Sequence, residues 1–105
     1  MTAYAVFIRE STRDPAEMEK YSQMVGDTLG GHRVKILAAY GRQEVLEGPD
    51  VQGVVILKFP SIEAAKAWYE SPEYREVREH RFKGATYRAV IVEGLLPWEV
   101  GDAAT

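Results

Sequence analysis

Arg81 stands seven residues after Tyr74 and four after Val77, a spacing that places all three on one face of a helix. A guanidinium on an otherwise apolar stripe must find an acceptor, because leaving it buried and unpaired costs on the order of several kcal/mol. Two readings stand side by side. In one, Arg81 clamps a carboxylate or another anion in a pocket between helices and sheet, and the Tyr74 phenol converges on the same cavity. In the other, Arg81 is an internal strut paired with Glu47, Glu93 or a backbone carbonyl, and Tyr74 bonds to it or to a carbonyl of its own. His80 is adjacent in sequence but roughly 100° around the helix, so it is either a general base or a plain exposed histidine. His32 follows Gly30-Gly31 at the mouth of a strand, where it lines a pocket rim or satisfies a loop. With Tyr40, the candidate ligand-binding set is Tyr74, Arg81, His32, Tyr40 and His80.

The same inventory excludes much. Two distant histidines, no cysteine and no closely paired carboxylates make no metal signature. There is no GxGxxG, no phosphate-binding loop and no nucleophile elbow, so no cofactor is expected. Trp68 and Tyr21, at helical spacing, read as packing.

The elements that must position these residues are legible in order. Thr2 to Arg9 alternates Tyr4, Val6 and Ile8 with Ala5 and Phe7, a strand apolar on both faces. Asp14-Pro15 with Glu17 opens a helix: Asp at the cap, Pro at the first position, and an acid that can reach back to the cap. Met18, Tyr21, Val25 and Leu29 form its inner stripe, and Gly30-Gly31 stop it. An edge strand follows from His32 to Tyr40, with a bend at Gly41, and resumes through Val45 and Leu46 to Glu47. Gly48-Pro49-Asp50 turns the chain into a strand over Val51 to Phe59. Ser61 caps a short helix that buries Ala65, Trp68 and Tyr69. Ser71-Pro72-Glu73 restarts it with Tyr74, Val77, Arg78 and Arg81 inward, and Gly84 ends it. Tyr87 to Glu93 is the last strand. Leu95-Leu96-Pro97-Trp98 is an apolar arm, and residues 97–105 are an arm and frayed tail.

With 105 residues, one core is the expectation, and the span 1–96 is read as a single α+β domain. Thirteen basic against sixteen acidic residues, without a basic cluster, argue against nucleic acid as a partner. No apolar run approaches the ~20 residues that span a bilayer, and MTAYAVFIRE lacks a basic start followed by an apolar stretch. No membrane partner and a cytoplasmic location are therefore expected.

Strand, helix, strand, strand, helix, strand is the ferredoxin-like βαββαβ order: a four-stranded antiparallel sheet with its helices on one face. The first, third and fourth strands are nonetheless apolar on both sides. A small protein rarely leaves so large an apolar face in water, so the sheet is expected to pack against that of a second copy, as a homodimer.

GGHR at 30–33, LEG at 46–48, KFPSIEAAKAWYESPEYREVREHR at 58–81 and VEG at 92–94 together resemble the family catalogued as domain of unknown function 1330. The resemblance implies dimeric α+β barrels of ferredoxin-like subunits and no established function. In that family's pattern an Arg often precedes the glycine after the second strand. This chain has Tyr40 before Gly41, which puts in doubt any anion-holding role for that position. The sequence therefore supports two functions. One is a homodimeric small-molecule-binding protein, or a cofactor-independent enzyme by analogy of fold, acting on a small acidic or aromatic compound. The other is a non-catalytic structural or stress-associated dimeric module whose cavity is filled by side chains.

Overall fold

A computed structural model describes residues 1–96. The Trp98 arm lies outside the described residues. The elements are β1 (Ala3–Thr12), α1 (Pro15–Met24), β2 (Lys35–Ala39), β3 (Gly53–Phe59), α2 (Ile62–Tyr69), α3 (Pro72–Gly84) and β4 (Ala85–Glu93). All strand pairs are antiparallel and the sheet runs β2-β3-β1-β4. This is the ferredoxin-like arrangement that the element order predicts.

Local chemistry sets the helix starts. Asp14 accepts from the backbone N–H groups of Ala16 and Glu17 at 3.1 and 3.4 Å, and Pro15 occupies the first turn. Ser61 accepts from Ala64 N–H at 3.0 Å. Ser71 accepts from Tyr74 N–H at 3.3 Å while donating to the Trp68 carbonyl at 2.7 Å, so one hydroxyl ends α2 and begins α3. The α-helical part of the first helix stops at Met24. Val25–Leu29 tightens into a 3₁₀ turn, because Gly26, Asp27 and Thr28 are weak helix formers and Thr28 Oγ1 turns back on the Val25 carbonyl at 2.6 Å.

The second strand departs most from expectation. It begins at Lys35 rather than His32, and a bulge between Ile36 and Ala38 leaves Leu37 unpaired. Tyr40, not Gly41, takes the left-handed backbone, with φ +56°. No strand resumes at Val45–Glu47, and Leu46 is 92% exposed. β3 already has β1 on one side and β2 on the other, so that segment has no open edge of β3 to join. β3 accordingly starts at Gly53 rather than Val51.

One sheet face is covered. Ala3, Ala5, Phe7, Leu57 and Phe59 are buried against Met18, Tyr21, Ala65, Trp68, Tyr74 and Val77 from the helices. Trp68 is the centre of this core, its ring 6.1 Å from Phe7, 5.8 Å from Phe59 and 4.1 Å from Tyr74. Its Nε1 donates to Thr28 Oγ1 at 3.1 Å, which answers the polar end of an otherwise apolar side chain. The opposite face carries Tyr4, Val6, Ile8, Val54, Ile56, Val90 and Val92 in register, and Val90 and Val92 are more than half exposed. The loop of residues 44–51 borders its Ile8 and Val54 end, and no described helix covers the face.

α1 and α3 meet along Met18 and Gly84, where a β-carbon at 84 would stand 2.8 Å from Met18 Cγ. His80 lies on this seam. Its Nδ1 is 2.6 Å from Glu17 Oε2, so Glu17 spans to α3 instead of returning to its own cap. The bond from His80 holds the Glu17 carboxyl below its ordinary value of 4.5, with Lys20 and Lys83 adding to the effect and desolvation opposing it. A carboxylate depressed in the folded state stabilises above its unfolded pKa and loses that contribution as pH falls through the folded one. Glu17→Gln should therefore lower the melting temperature at pH 7, and the gap to wild type should shrink below about pH 4.5. A gap unchanged from pH 7 to pH 3 would count against this pairing.

Candidate functional site

Arg81 and Tyr74 share the inner face of α3, as their spacing predicts, and both are almost fully buried, at 4% and 0% exposure. Neither Glu47 nor Glu93 reaches Arg81. Among the described residues no carboxylate lies within ion-pairing distance of it. Its Nη2 donates to the Tyr69 hydroxyl at 3.4 Å, Tyr74 is close enough to act on its charge, and its Nε is buried with no acceptor. What surrounds the guanidinium is aromatic: its carbon stands 5.3 Å from the Phe7 ring and 5.0 Å from those of Phe82 and Tyr87.

Ring faces can return up to about 2 kcal/mol each to a desolvated cation, which is comparable with the cost of burying it. They offset the charge but not the hydrogen bonds. A guanidinium has five N–H donors in a fixed plane; the Tyr69 and Tyr74 hydroxyls take up part of the set, and Nε has no acceptor. Arg78, also inward on α3, likewise has a buried Nε without an acceptor, but it has a carboxylate partner: its Nη1 is 3.5 Å from Glu70 Oε1 and donates to the Tyr69 carbonyl at 3.0 Å, and it stacks on Tyr69.

Beside Arg81 is a cavity of about 150 Å³ between the sheet and α1, α3 and the 3₁₀ turn. Phe7, Val55, Leu57 and Trp68 form its apolar walls, and Tyr21, Tyr40 and Tyr87 bring phenols to it. Tyr74 stands behind this lining, its hydroxyl bonded to that of Tyr21 at 2.8 Å. Burial pushes the Tyr21 phenol far up, reinforced by Tyr74. Burial also raises Tyr74, with Arg81 pulling partly back. Both therefore remain protonated at neutral pH and donate rather than take protons. Burial works against the charge on Arg81, but the oxygens of Tyr74, Tyr21 and Tyr69 outweigh it and its pKa lies above the ordinary guanidinium value. The cavity thus offers a permanent cation and neutral donors in an apolar shell.

Tyr40 forms part of the cavity wall. Its left-handed backbone lays the ring over Gly53, where a β-carbon would fall within 2.7 Å of Tyr40 Cε1. Its hydroxyl meets that of Tyr87 at 2.5 Å. A wider hollow of about 320 Å³, bounded by Ala65, Tyr69, Ala89 and Ile91, lies beyond the shared wall of Phe7 and Trp68, and no arginine lines it.

The sequence candidates therefore separate. Arg81 and Tyr40 line the cavity and Tyr74 supports it through Tyr21. His80 belongs to the α1–α3 seam, and His32 is half-buried in the loop before β2, with its N–H donated to the Leu29 carbonyl at 3.1 Å. Sequence reasoning missed Tyr87 and assigned Tyr21 to packing alone. The spacing Met18-Tyr21-Val25-Leu29 marks Tyr21 as inward, but Tyr87 has no local signal, because its placement depends on the register of β1 with β4.

Among the described residues no group of three or more His, Asp or Glu side chains could hold a metal ion. No helix among them is long and apolar enough to cross a membrane.

The model of the family described as domain of unknown function DUF1330 matches residues 2–95. No curated protein matches the chain. Among solved structures, a protein of unknown function from Rhodopseudomonas palustris superposes with a TM-score of 0.69 at 20% identity, covering 91% of this chain and 84% of that one. A dimeric ferredoxin-like protein of unknown function from Thermobifida fusca gives a TM-score of 0.63 at 12% identity, covering 90% and 92%. The cofactor-independent oxygenase SnoaB from Streptomyces nogalater gives 0.58 at 11% identity, covering 93% and 97%. At these identities the likeness is one of fold.

Proposed function

The chain belongs to the DUF1330 family, and from the geometry of its cavity we propose that it is a homodimeric protein that binds a small anion against Arg81. The observation that carries this reading is a buried guanidinium with no carboxylate partner, its Nε unpaired, beside an apolar cavity lined by phenols. A carboxylate is the acceptor that fits a planar fork of donors. A cavity near 150 Å³ is about the size that admits a single aromatic ring, so the ligand class is a one-ring or short-chain acid.

The dimer follows from the open sheet face. Ile56, Val6 and Val90 lie side by side across β3, β1 and β4, and a second copy of the same face is the simplest cover for such a patch. The dimeric neighbour supports it through shared fold. The oxygenase neighbour makes cofactor-independent chemistry on a small acidic or aromatic compound the enzymatic form of the proposal. In that form Arg81 and the Tyr21 hydroxyl would stabilise negative charge on the substrate. The alternative is a non-catalytic structural or stress-associated module with Arg81 as a strut stacked on Phe7, Phe82 and Tyr87.

Titration with benzoate by calorimetry is expected to give saturable binding, with Kd about 1 mM or tighter. Absence of binding by benzoate and by a series of short-chain carboxylates would overturn the pocket. Sedimentation at micromolar concentration should give a dimer, and a stable monomer alone would remove that half of the proposal.

A further inference from the structure

A second cation, Arg9, stands against Tyr40 and Tyr87 of the cavity wall without itself lining the cavity. Arg9 lies on the helix-facing side of β1, directly opposite Gly53 on β3 and Tyr87 on β4. Its Nε donates to the Tyr87 hydroxyl at 2.8 Å. Its guanidinium carbon is 4.8 Å from the Tyr40 ring and 5.6 Å from the Tyr87 ring, two lining residues whose hydroxyls are joined. No carboxylate among the described residues comes within ion-pairing distance of Arg9 either.

Tyr87 is therefore shared by two guanidinium groups, Arg81 at 5.0 Å and Arg9 at 5.6 Å. Both are uncompensated in a chain of net charge −3 that places its ion-paired acids elsewhere, on the helices and in the loop after β2. Like charges around one ring repel, and a low-dielectric wall strengthens the repulsion. An occupant with one negative group answers only one of them.

We infer that the natural ligand is a dianion: one acidic group seats on Arg81 at the buried end, a second on Arg9 at the half-buried rim, and an apolar ring or short chain lies between them beside Tyr87. This rests on the Arg81 cavity being the ligand site, and adds to it the ligand class, a small dicarboxylate or a ring bearing two acidic groups. Arg9 then sets specificity for the second charge, whereas Arg81 is required by every acid that binds.

The test compares benzoate with phthalate, isophthalate and terephthalate on wild type, Arg9→Met and Arg9→Lys. At least one dicarboxylate should bind wild type about tenfold or more tighter than benzoate. Arg9→Met should weaken that dicarboxylate more than benzoate, bringing the ratio of their affinities to about one, and Arg9→Lys should recover part of the ratio. Measurable benzoate binding by Arg9→Met also reports an intact fold and cavity. If benzoate binds wild type but no dicarboxylate exceeds it, or if Arg9→Met leaves the ratio unchanged, the dianion is wrong and the single-anion pocket stands. If neither class binds, both fall. Should Arg9→Met not fold, wild type decides through salt: dicarboxylate binding should weaken more steeply with potassium chloride than benzoate binding, and equal slopes overturn the inference.

Discussion

Arg81→Met is expected to abolish retention of a small carboxylate, by at least about thirtyfold in Kd, while the melting temperature stays within about 5 °C of wild type. The two halves of this result separate a ligand site from a strut. Methionine keeps the apolar stem out to about the position of Nε and removes the charge, so the packing against Phe7, Phe82 and Tyr87 is partly replaced. No carboxylate among the described residues loses its partner, because none is paired with Arg81. What is lost is cation–π attraction, and what is regained is the cost of desolvating a guanidinium whose Nε has no acceptor. These oppose each other and are of similar size. Were Arg81 a strut, its contacts with three ring faces and its bond to the Tyr69 hydroxyl would outweigh that desolvation, and its removal would cost about 3 kcal/mol or more. For a domain of this size that is a fall of more than about 12 °C. Binding by calorimetry and melting by circular dichroism, on the same preparation, decide it.

Trp68→Ala is expected to be the most damaging single truncation to stability, at about 3–5 kcal/mol out of the 5–15 kcal/mol typical of a whole domain. The ring is 2% exposed and touches Phe7, Phe59, Tyr69 and Tyr74. Four aromatic neighbours fixed on β1, β3, α2 and α3 are poorly able to collapse into the void, which places the cost toward the upper part of that range. The substitution also removes half of the wall between the 150 Å³ cavity and the 320 Å³ hollow, since Trp68 and Phe7 alone line both. Trp68→Phe keeps part of that wall and gives up the bond to Thr28, so it should cost clearly less. Urea unfolding followed by circular dichroism measures both, and a loss below about 1 kcal/mol for the alanine variant would mean that the core is not centred on this ring.

Most of the scaffold is written in short-range chemistry. Asp14-Pro15, Ser61 and Ser71-Pro72 start helices where those residue types satisfy free N–H groups, and Gly84 ends α3 where the chain must pass Met18. The inward stripe of α3 is readable for the same reason, since three- and four-residue spacings are local. The cavity is not local. Arg9 and Tyr87 are 78 residues apart and Tyr40 and Tyr87 are 47 apart, so their meeting depends on strand register, which alternation alone leaves undetermined. The run after β2 misled for a related reason. Val45 and Leu46 have strand-like side chains, but a strand needs a partner edge. Gly41 drew attention as the flexible residue, whereas the bend falls on Tyr40, whose ring contacts with Gly53 and Tyr87 outweigh its backbone preference.

That pairing of Tyr40 with Gly53 also makes the order of substitution matter. While the Tyr40 ring covers position 53, even alanine there collides with it, so Gly53 is held in place by a side chain thirteen residues away rather than by its own backbone. Once position 40 becomes small, the constraint on 53 vanishes, and a β-branched residue suited to the start of β3 becomes acceptable. Two changes that are each harmful in one order are thus open in the other. The route by which descendants of this sequence can gain a side chain at 53 runs through position 40 first.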